Sequence, residues 1–485
     1  MSGLRRNAIK LAAASALEFG LQFAIPVILV RTLSETVFAQ YRLLWLMAST
    51  MLALMPLFMP QALFYFLPRA DTPLQRARVI GNTLAYLLTM ALLLGLVLNP
   101  WNPLLQPVVH DLLAQSYGAA TGFLMLWLVL AMFDTLPVAE SRASWQANCT
   151  IGLALLRTAL LALAAWYMQS LLWVVLALVV QALSKLGLLL WYILRRAASS
   201  DNSPRLGFDA GLLRQQLRYA LPFAIGNGLY SMRSQADQWV VATLLSPKLY
   251  GSFSIATSLQ PIATLLRLPV YNAMMPRLNA ACAKQDYEQV RHLITKSNAA
   301  TAMMLIPVAG MFFVCAPQLI ELVYTTRHLA AIDVMRVYLL GMIVNAFAIG
   351  HVLPALDLGK FATRNNGVCL LLSVLFSWLG VKYFGLAGAA CGSVATLAMS
   401  ELWSAHVVAR KLSISVAQLL SWRTLWPTLL ATSLALGVCL WLGCSWPWPL
   451  LYVLLAKGSL FVAVWLGSFL AMGGKRQILG LRDFN

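Results

Sequence analysis

Charged residues are scarce in this sequence. Only 11% of its 485 residues are Asp, Glu, Lys or Arg, and 60% are hydrophobic, whereas about 25% of the residues of a soluble domain are charged. So few charges cannot cover a water-soluble globule, which indicates a chain that folds in lipid. Its apolar runs are about 20 residues long and do not alternate as barrel strands do, which predicts an all-α polytopic membrane protein.

Catalytic motifs are absent as well. The sequence contains no G-x-S-x-G, no H-E-x-x-H and no phosphate-binding G-x-x-x-x-G-K-[ST] loop. The longest loop on the predicted non-cytoplasmic side offers only His110 and Asp111 as titratable groups. The seven Cys form no C-x-x-C pair, which is typical of small core side chains. We predict no enzyme activity, metal or cofactor; a membrane polysaccharide polymerase or ligase is the least favoured alternative.

About fourteen membrane-spanning helices are predicted. They cover 9–30, 41–67, 79–99, 118–139, 149–167, 170–194, 216–244, 251–275, 296–315, 333–356, 365–384, 386–409, 425–444 and 449–471. Lys and Arg are concentrated at both termini and in every second loop, for example at Arg69, Arg76 and Arg78. The positive-inside rule therefore places both termini in the cytoplasm. It also accounts for the net charge of +19, so no nucleic-acid partner is predicted.

The longest connection divides these helices into two sets. Its polar stretch, 199–204, predicts a cytoplasmic linker at 198–215 between an N-terminal lobe, 1–197, and a C-terminal lobe, 216–410. Helices 13 and 14 and a cytoplasmic tail occupy 411–485. Motifs recur about 210 residues apart, since Leu33-Ser34 matches Leu245-Ser246 and Pro68-Arg69 matches Pro276-Arg277. Parallel repeats of this kind are a transporter architecture with the substrate site between the halves.

An ordered set of motifs resembles a known family. It comprises a basic N-terminus, the L-S-x-x-x-[FY]-[AG] loop at 33–39 and its repeat at 245–251, YALPFAIGNGL at 219–229 and FGLAGAACGSVATLAMSEL at 384–402. Over nearly its whole length the chain resembles the polysaccharide branch of the multidrug/oligosaccharidyl-lipid/polysaccharide superfamily, the Wzx-type O-antigen flippases. It departs from that pattern at Ala39-Gln40, where the family usually has Gly.

The resemblance implies a transport function. Members of the family move undecaprenyl-diphosphate-linked oligosaccharide from the cytoplasmic to the periplasmic leaflet of the bacterial inner membrane, by alternating access, for lipopolysaccharide and other surface polysaccharides. The expected partners are this lipid-linked oligosaccharide and membrane lipid, with other polysaccharide-assembly proteins as further candidates. A lipid II-type flippase and a MATE-type drug or cation antiporter stay open as alternatives. The predicted thirteenth and fourteenth helices disfavour the antiporter.

Cationic side chains inside the spans are candidate substrate contacts, because lipid tolerates charges mainly at functional or paired positions. Arg267 is the first candidate for the diphosphate. It lies too deep for easy snorkelling, and its planar guanidinium suits phosphate oxygens. Its alternative role is pairing with Glu18 or Asp237. Arg233 is spaced for an ion pair with Asp237 on one helix face, and Arg42 is a further candidate or an interfacial residue.

Two polar stripes predict the walls of a cavity. Glu18 and Gln22, with Ser15, share one face of the first helix. The repeat offset places Asn227, Tyr230 and Ser234 at matching positions of the seventh helix. The alternative is a polar seam satisfied by neighbouring helices. Glu18 or Asp237 is the candidate for coupling to H+ or Na+.

Weaker candidates lie on other helices. Either Arg157 or Lys185 is placed to pair with Asp134. For four further residues a structural or interfacial role is favoured over ion coupling: His351, Asp357, Glu401 and His406.

Overall fold

The computed structural model describes residues 17–18, 20–99, 116–198, 206–442 and 449–474. Several predictions lie outside these residues: those for Ser15, for His110 and Asp111, for the polar stretch 199–204, and for the basic residues of both termini. Within the described residues the secondary structure is helical and contains no strand, which confirms the all-α prediction.

The chain divides into two compact units, Met1–Gln235 and Ala236–Asn485. The first unit contains α1 (Gly20–Thr32), α2 (Glu35–Leu54), α3 (Met59–Phe66), α4 (Pro73–Val97), α5 (Tyr117–Val129), α6 (Ala131–Ala139), α7 (Ala143–Tyr167) and α8 (Leu171–Ala198). The boundary falls inside α9 (Ala210–Leu244). The second unit contains α10 (Pro247–Thr257), α11 (Gln260–Ala283), α12 (Tyr287–Tyr324), α13 (Ala331–Asn345), α14 (Gly359–Lys411), α15 (Trp422–Trp441) and α16 (Leu450–Ala471).

Every predicted span overlaps one or two of these helices. In the described part of the chain, eight helices are long and apolar enough to cross a membrane, and Gly20–Thr32 and Leu425–Trp441 are shorter apolar helices. Some helices extend beyond the apolar run that predicted them. For example, α12 begins at Tyr287, where the Asp286 carboxylate accepts a hydrogen bond from Gln289 N at 3.0 Å and caps the helix. Hydropathy detects only the membrane-embedded part of such a helix.

The segment α14 consists of two antiparallel helices that meet at Gly385. Gly385 has φ +62° and ψ −141°, a backbone conformation that favours glycine. Across the pair, Ser377 Oγ donates to Ala389 O at 3.1 Å and Asn365 Nδ2 to Ser400 O at 3.2 Å. The predicted boundary between the eleventh and twelfth spans, 384–386, is therefore confirmed.

Matching helices are broken in both units. Between α2 and α3, Leu57 and Phe58 have φ of 44° and 61°, and the corresponding eighth span is interrupted between α10 and α11. The fourth span is interrupted at Leu130, between α5 and α6, and the tenth ends its α-helix at Asn345 before short 3-10 turns. The paired breaks lie about 200 and about 215 residues apart, near the repeat offset of about 210, and support the internal repeat.

The repeated Leu-Ser motif has a local explanation. Ser34 is the N-cap of α2 with φ −66° and ψ 155°, and Ser246 is the N-cap of α10 with φ −64° and ψ 152°. Serine is favoured at this position because its side chain can accept a hydrogen bond from the first helical turn, as Ser34 Oγ does from Val37 N at 3.4 Å. The motif therefore marks the same helix start in each unit.

The end of the linker is fixed to α4 within the first unit. Asp209 N donates to Asn82 Oδ1 at 3.0 Å, and Asn82 Nδ2 donates to Asp209 O at 3.0 Å. Asn82 Nδ2 also reaches Gln216 Oε1 at 3.2 Å, and both amide side chains are fully buried. Because Asp209 Oδ1 accepts from Leu212 N at 3.0 Å, the same residue caps α9 and anchors it.

Candidate functional site

The first unit contains an intramembrane ion pair next to a helix break. Lys185 Nζ on α8 lies 2.9 Å from Asp134 Oδ2 on α6. The Lys185 side chain is 10% exposed, whereas that of Asp134 is 57% exposed. Gln146 Nε2 approaches the other carboxylate oxygen at 3.4 Å. Of the two partners predicted for Asp134, the structure therefore has Lys185.

Aromatic rings enclose the lysine side of this pair. The Lys185 ammonium lies 5.1 Å from the ring centre of Trp127 and 5.2 Å from that of Phe133, within cation–π range. These contacts stabilise the ammonium, which is the buried partner of the pair. The Asp134 carboxylate is the exposed partner.

The ion pair lies in the wall of a cavity of about 240 Å³, which we call the N-terminal cavity. All the residues that line it belong to the first unit. Its polar side chains are Gln61, Asp134, Thr135, Lys185 and Asn227, and its aromatic side chains are Phe58 and Trp127. Asn227, which the sequence predicts as a cavity residue, is thus in a cavity wall.

Arg157, the other predicted partner of Asp134, is buried in α7. Its guanidinium lies 6.0 Å from the ring centre of Trp45, and its Nε and Nη2 atoms have no hydrogen-bond partner among the described residues. The carbonyl oxygen of the buried Gln181 side chain is also without one there. A buried polar group without a hydrogen-bond partner is costly. Arg157 on α7 and Gln181 on α8 therefore each have unused hydrogen-bonding capacity.

The residues of the two predicted stripes make local contacts. Gln22 Nε2 lies 3.5 Å from Oε1 of Glu18, four residues earlier in the chain. On α9, Ser234 Oγ donates to the Ser231 carbonyl at 2.8 Å, and Tyr230 is exposed. Arg42 is half-buried in α2.

Arg233 and Asp237 make different contacts. The Arg233 guanidinium lies 5.4 Å from the Tyr230 ring centre, and its Nη1 atom has no hydrogen-bond partner among the described residues. Asp237 is fully buried, and its carboxylate accepts a hydrogen bond from the Tyr338 hydroxyl at 2.6 Å. Tyr338 lies on α13, and Asp237 lies in the part of α9 that belongs to the second unit, so this bond lies within that unit.

Arg267 lies on α11 in the second unit, against the broken tenth span. Its Nη2 atom donates to the Ala348 carbonyl at 3.2 Å and also contacts His351 Nδ1. The Tyr271 ring lies edge-on to the His351 ring at 5.1 Å between centroids. The segment after α13 therefore orients the guanidinium.

Glu401 holds this segment from α14. Its Oε2 atom accepts hydrogen bonds from Ile349 N at 2.7 Å and from Gly350 N at 3.1 Å. Three elements thus meet here: α11, the broken tenth span and the second helix of α14. His351 and Glu401, both weak candidates from the sequence, belong to one network with Arg267.

Several residues of these clusters could not be identified from the sequence. Trp127, Gln61 and Thr135 in the N-terminal cavity and Tyr338 beside Asp237 were not predicted. Trp127 carries a usable signal, because Trp is enriched at membrane interfaces and this one lies in the middle of a predicted span. Within the described residues, no group of three or more His, Cys, Asp or Glu side chains is placed to hold a metal ion.

Comparison with known sequences gives a family match. The model of the family described as "Polysaccharide biosynthesis protein" matches residues 74–333, which is over half of the chain. A curated relative, the probable low-salt glycan biosynthesis flippase Agl15 of Haloferax volcanii, is 21% identical over 240 residues. That match covers 49% of this chain and 50% of the relative, so the chain spans about half the length of the curated protein it matches.

Solved structures share the fold at low sequence identity. Lipid II flippase MurJ in an inward closed conformation has a TM-score of 0.72 and 11% identity, with 97% of this chain and 100% of that chain covered. An inward-facing multidrug resistance MATE family transporter of the MOP superfamily has a TM-score of 0.62 and 14% identity, covering 82% and 96%. A MOP superfamily transporter from Pyrococcus furiosus has a TM-score of 0.56 and 14% identity, covering 84% and 96%.

Proposed function

Because the chain belongs to the polysaccharide biosynthesis protein family, we propose that it is a flippase for undecaprenyl-diphosphate-linked oligosaccharide. It moves this lipid from the cytoplasmic to the periplasmic leaflet of the bacterial inner membrane by alternating access, with both termini in the cytoplasm. The curated relative is named as a glycan biosynthesis flippase, which supports a lipid-linked glycan as cargo. The process served is the synthesis of lipopolysaccharide or another surface polysaccharide.

The observation that carries the proposal is the Arg267 guanidinium beside a broken span. A diphosphate loses its hydration when it enters a membrane protein, and unpaired charge in a low-dielectric site is costly. A guanidinium offers five N–H donors in a planar fork that matches phosphate oxygens. The bond to the Ala348 carbonyl orients this fork. Arg267 is therefore the proposed diphosphate contact.

A deletion strain tests the function. We expect it to accumulate undecaprenyl-diphosphate-linked oligosaccharide on the cytoplasmic face and to lose surface polysaccharide, measured by lipid extraction and by polysaccharide gels. A normal level of the intermediate together with intact surface polysaccharide would exclude the flippase.

An arginine substitution tests the site. Arg267→Ala is expected to abolish export while the protein still inserts, and Arg267→Lys to restore it only in part, because an ammonium lacks the bidentate fork. Arg277→Ala is the matched control, since Arg277 is an exposed residue on the same helix. Export that survives Arg267→Ala would remove this residue from the diphosphate site.

Two alternative functions belong to proteins that share the fold of this chain. MurJ resembles the chain over nearly its full length, which keeps lipid II as an alternative cargo, and the MATE likeness keeps a drug or cation antiporter. The deletion strain separates them. Accumulated lipid II would favour the first, whereas increased drug sensitivity with normal glycan lipids would favour the second.

A further inference from the structure

We propose that the N-terminal cavity is a binding subsite for one uncharged sugar residue of the transported glycan. This inference rests on the proposed function and deepens it, because it assigns part of the cargo to the first unit. Arg267, the proposed diphosphate contact, belongs to the second unit and is not part of the subsite.

Helix breaks border the cavity on two sides. Pro56 and Phe58, from the break between α2 and α3, line it, and so do Leu130 and Ala131, from the break between α5 and α6. At membrane depth, irregular backbone is tolerated where it is buried in protein or lines a polar cavity. Broken helices also form the substrate sites of many transporters. Since Pro56 has no N–H, the carbonyl of Leu52, another lining residue, lacks its usual helical donor.

The charges of the cavity select against ionic ligands. Its charged side chains, Asp134 and Lys185, are paired at 2.9 Å. A diphosphate would need an excess of cations and a metal or drug cation an excess of carboxylates. The pair cancels in charge but still offers carboxylate acceptors and ammonium donors to a neutral, hydrogen-bonding ligand.

The remaining side chains suit a sugar. Gln61 and Asn227 each provide a carbonyl acceptor and two N–H donors, and the Thr135 hydroxyl provides both functions. Sugar hydroxyls also donate and accept, whereas the apolar face of a sugar ring can pack on Trp127 or Phe58. An aromatic lining with a few convergent polar groups is typical of small-ligand sites.

The volume of the cavity limits the size of the ligand, and the exposure of its lining determines which groups the ligand can contact. Its volume of about 240 Å³ is below the roughly 300–1,000 Å³ of sites for drug-sized molecules, so it suits one sugar ring. The Asp134 side chain is 57% exposed although its partner is buried. Because Asp134 also lines the cavity, its exposed carboxylate is accessible to a ligand there.

Binding to purified protein in nanodiscs tests the subsite with two probes. One is the lipid-linked glycan extracted from the deletion strain, and the other is undecaprenyl diphosphate without sugar. Gln61→Leu and Asn227→Leu, which leave the ion pair intact, are expected to weaken binding of the first probe roughly tenfold, which corresponds to the loss of one or two hydrogen bonds. Binding of the second probe is expected to stay unchanged.

Glu140→Gln is the matched control. Glu140 belongs to the same unit and bonds to the Tyr192 hydroxyl at 2.7 Å, but it does not line the cavity. It is expected to leave both affinities at the wild-type value. Unchanged glycan binding by Gln61→Leu and Asn227→Leu would overturn the subsite, and so would equal weakening of both probes, which indicates a structural effect. Failure of the wild-type protein to bind either probe would instead contradict the proposed function.

Discussion

Glu401 positions a segment rather than contacting the proposed cargo. Its carboxylate accepts hydrogen bonds from the backbone amides of Ile349 and Gly350, and the same segment contacts Arg267 through Ala348 and His351. Glu401→Ala is expected to lower export several-fold, because two part-buried N–H groups lose their acceptor and Arg267 loses its fixed orientation.

The conservative variant separates positioning from charge. Glu401→Gln keeps an amide oxygen that can accept these hydrogen bonds and is expected to restore most of the export measured in the deletion strain. Equal loss in both variants would show that the negative charge itself, and not the hydrogen bonds, is required.

Asp237 is a buried carboxylate and one of the two residues predicted from the sequence as candidates for ion coupling. An isolated charge is costly in a buried site, so a fully buried carboxylate favours binding of a proton or another cation. Asp237→Asn is expected to make transport into vesicles insensitive to an imposed H+ or Na+ gradient. Tyr338→Phe removes the hydrogen bond at 2.6 Å but keeps the carboxylate, so it is expected to retain gradient dependence. Persistent coupling in Asp237→Asn would exclude this residue, with Glu18 as the next candidate.

At the scale of elements, glycine permits the close approach of the linker end to α4. A Cβ on Gly81 would overlap the backbone carbonyl of Gly207, so Gly81→Ala forces two backbones apart. Such overpacking costs about 1–3 kcal/mol, which is expected to lower the melting temperature of the purified protein. Gly152→Ala is the control, because an added Cβ there has no neighbour within 4 Å. A melting temperature of Gly81→Ala equal to that of wild type would show that the linker end is not anchored this way.

Helix breaks were only partly predictable. The Gly385 turn followed from apolar segment length, because one apolar run of that length exceeds a single bilayer crossing. The breaks at Phe58 and Leu130 did not, since the apolar residues continue through them. Proline signals the first break, but proline is also tolerated inside α9 and α12, so its presence alone does not locate an interruption.

At the scale of the whole molecule, the loop charges predict the orientation. A reporter fused after Leu244, between α9 and α10, is expected to report the periplasm, and one fused after Gly474 the cytoplasm, because Lys and Arg favour the cytoplasmic side. Measured activities of paired reporters check both positions. The same compartment for the two fusions would contradict the odd number of crossings, seven, that the sequence predicts between these positions.

The sequence by itself determined the class of protein, the helical spans, the repeat and the family likeness, because hydropathy, loop charge and N-cap serines are properties of neighbouring residues. Only the tertiary structure decided which polar groups meet. Lys185 rather than Arg157 pairs with Asp134, 51 positions away, and Glu401 reaches the segment beside Arg267 across a similar separation. Such contacts depend on how helices pack against each other, and the spacing of residues along one helix does not specify its neighbour.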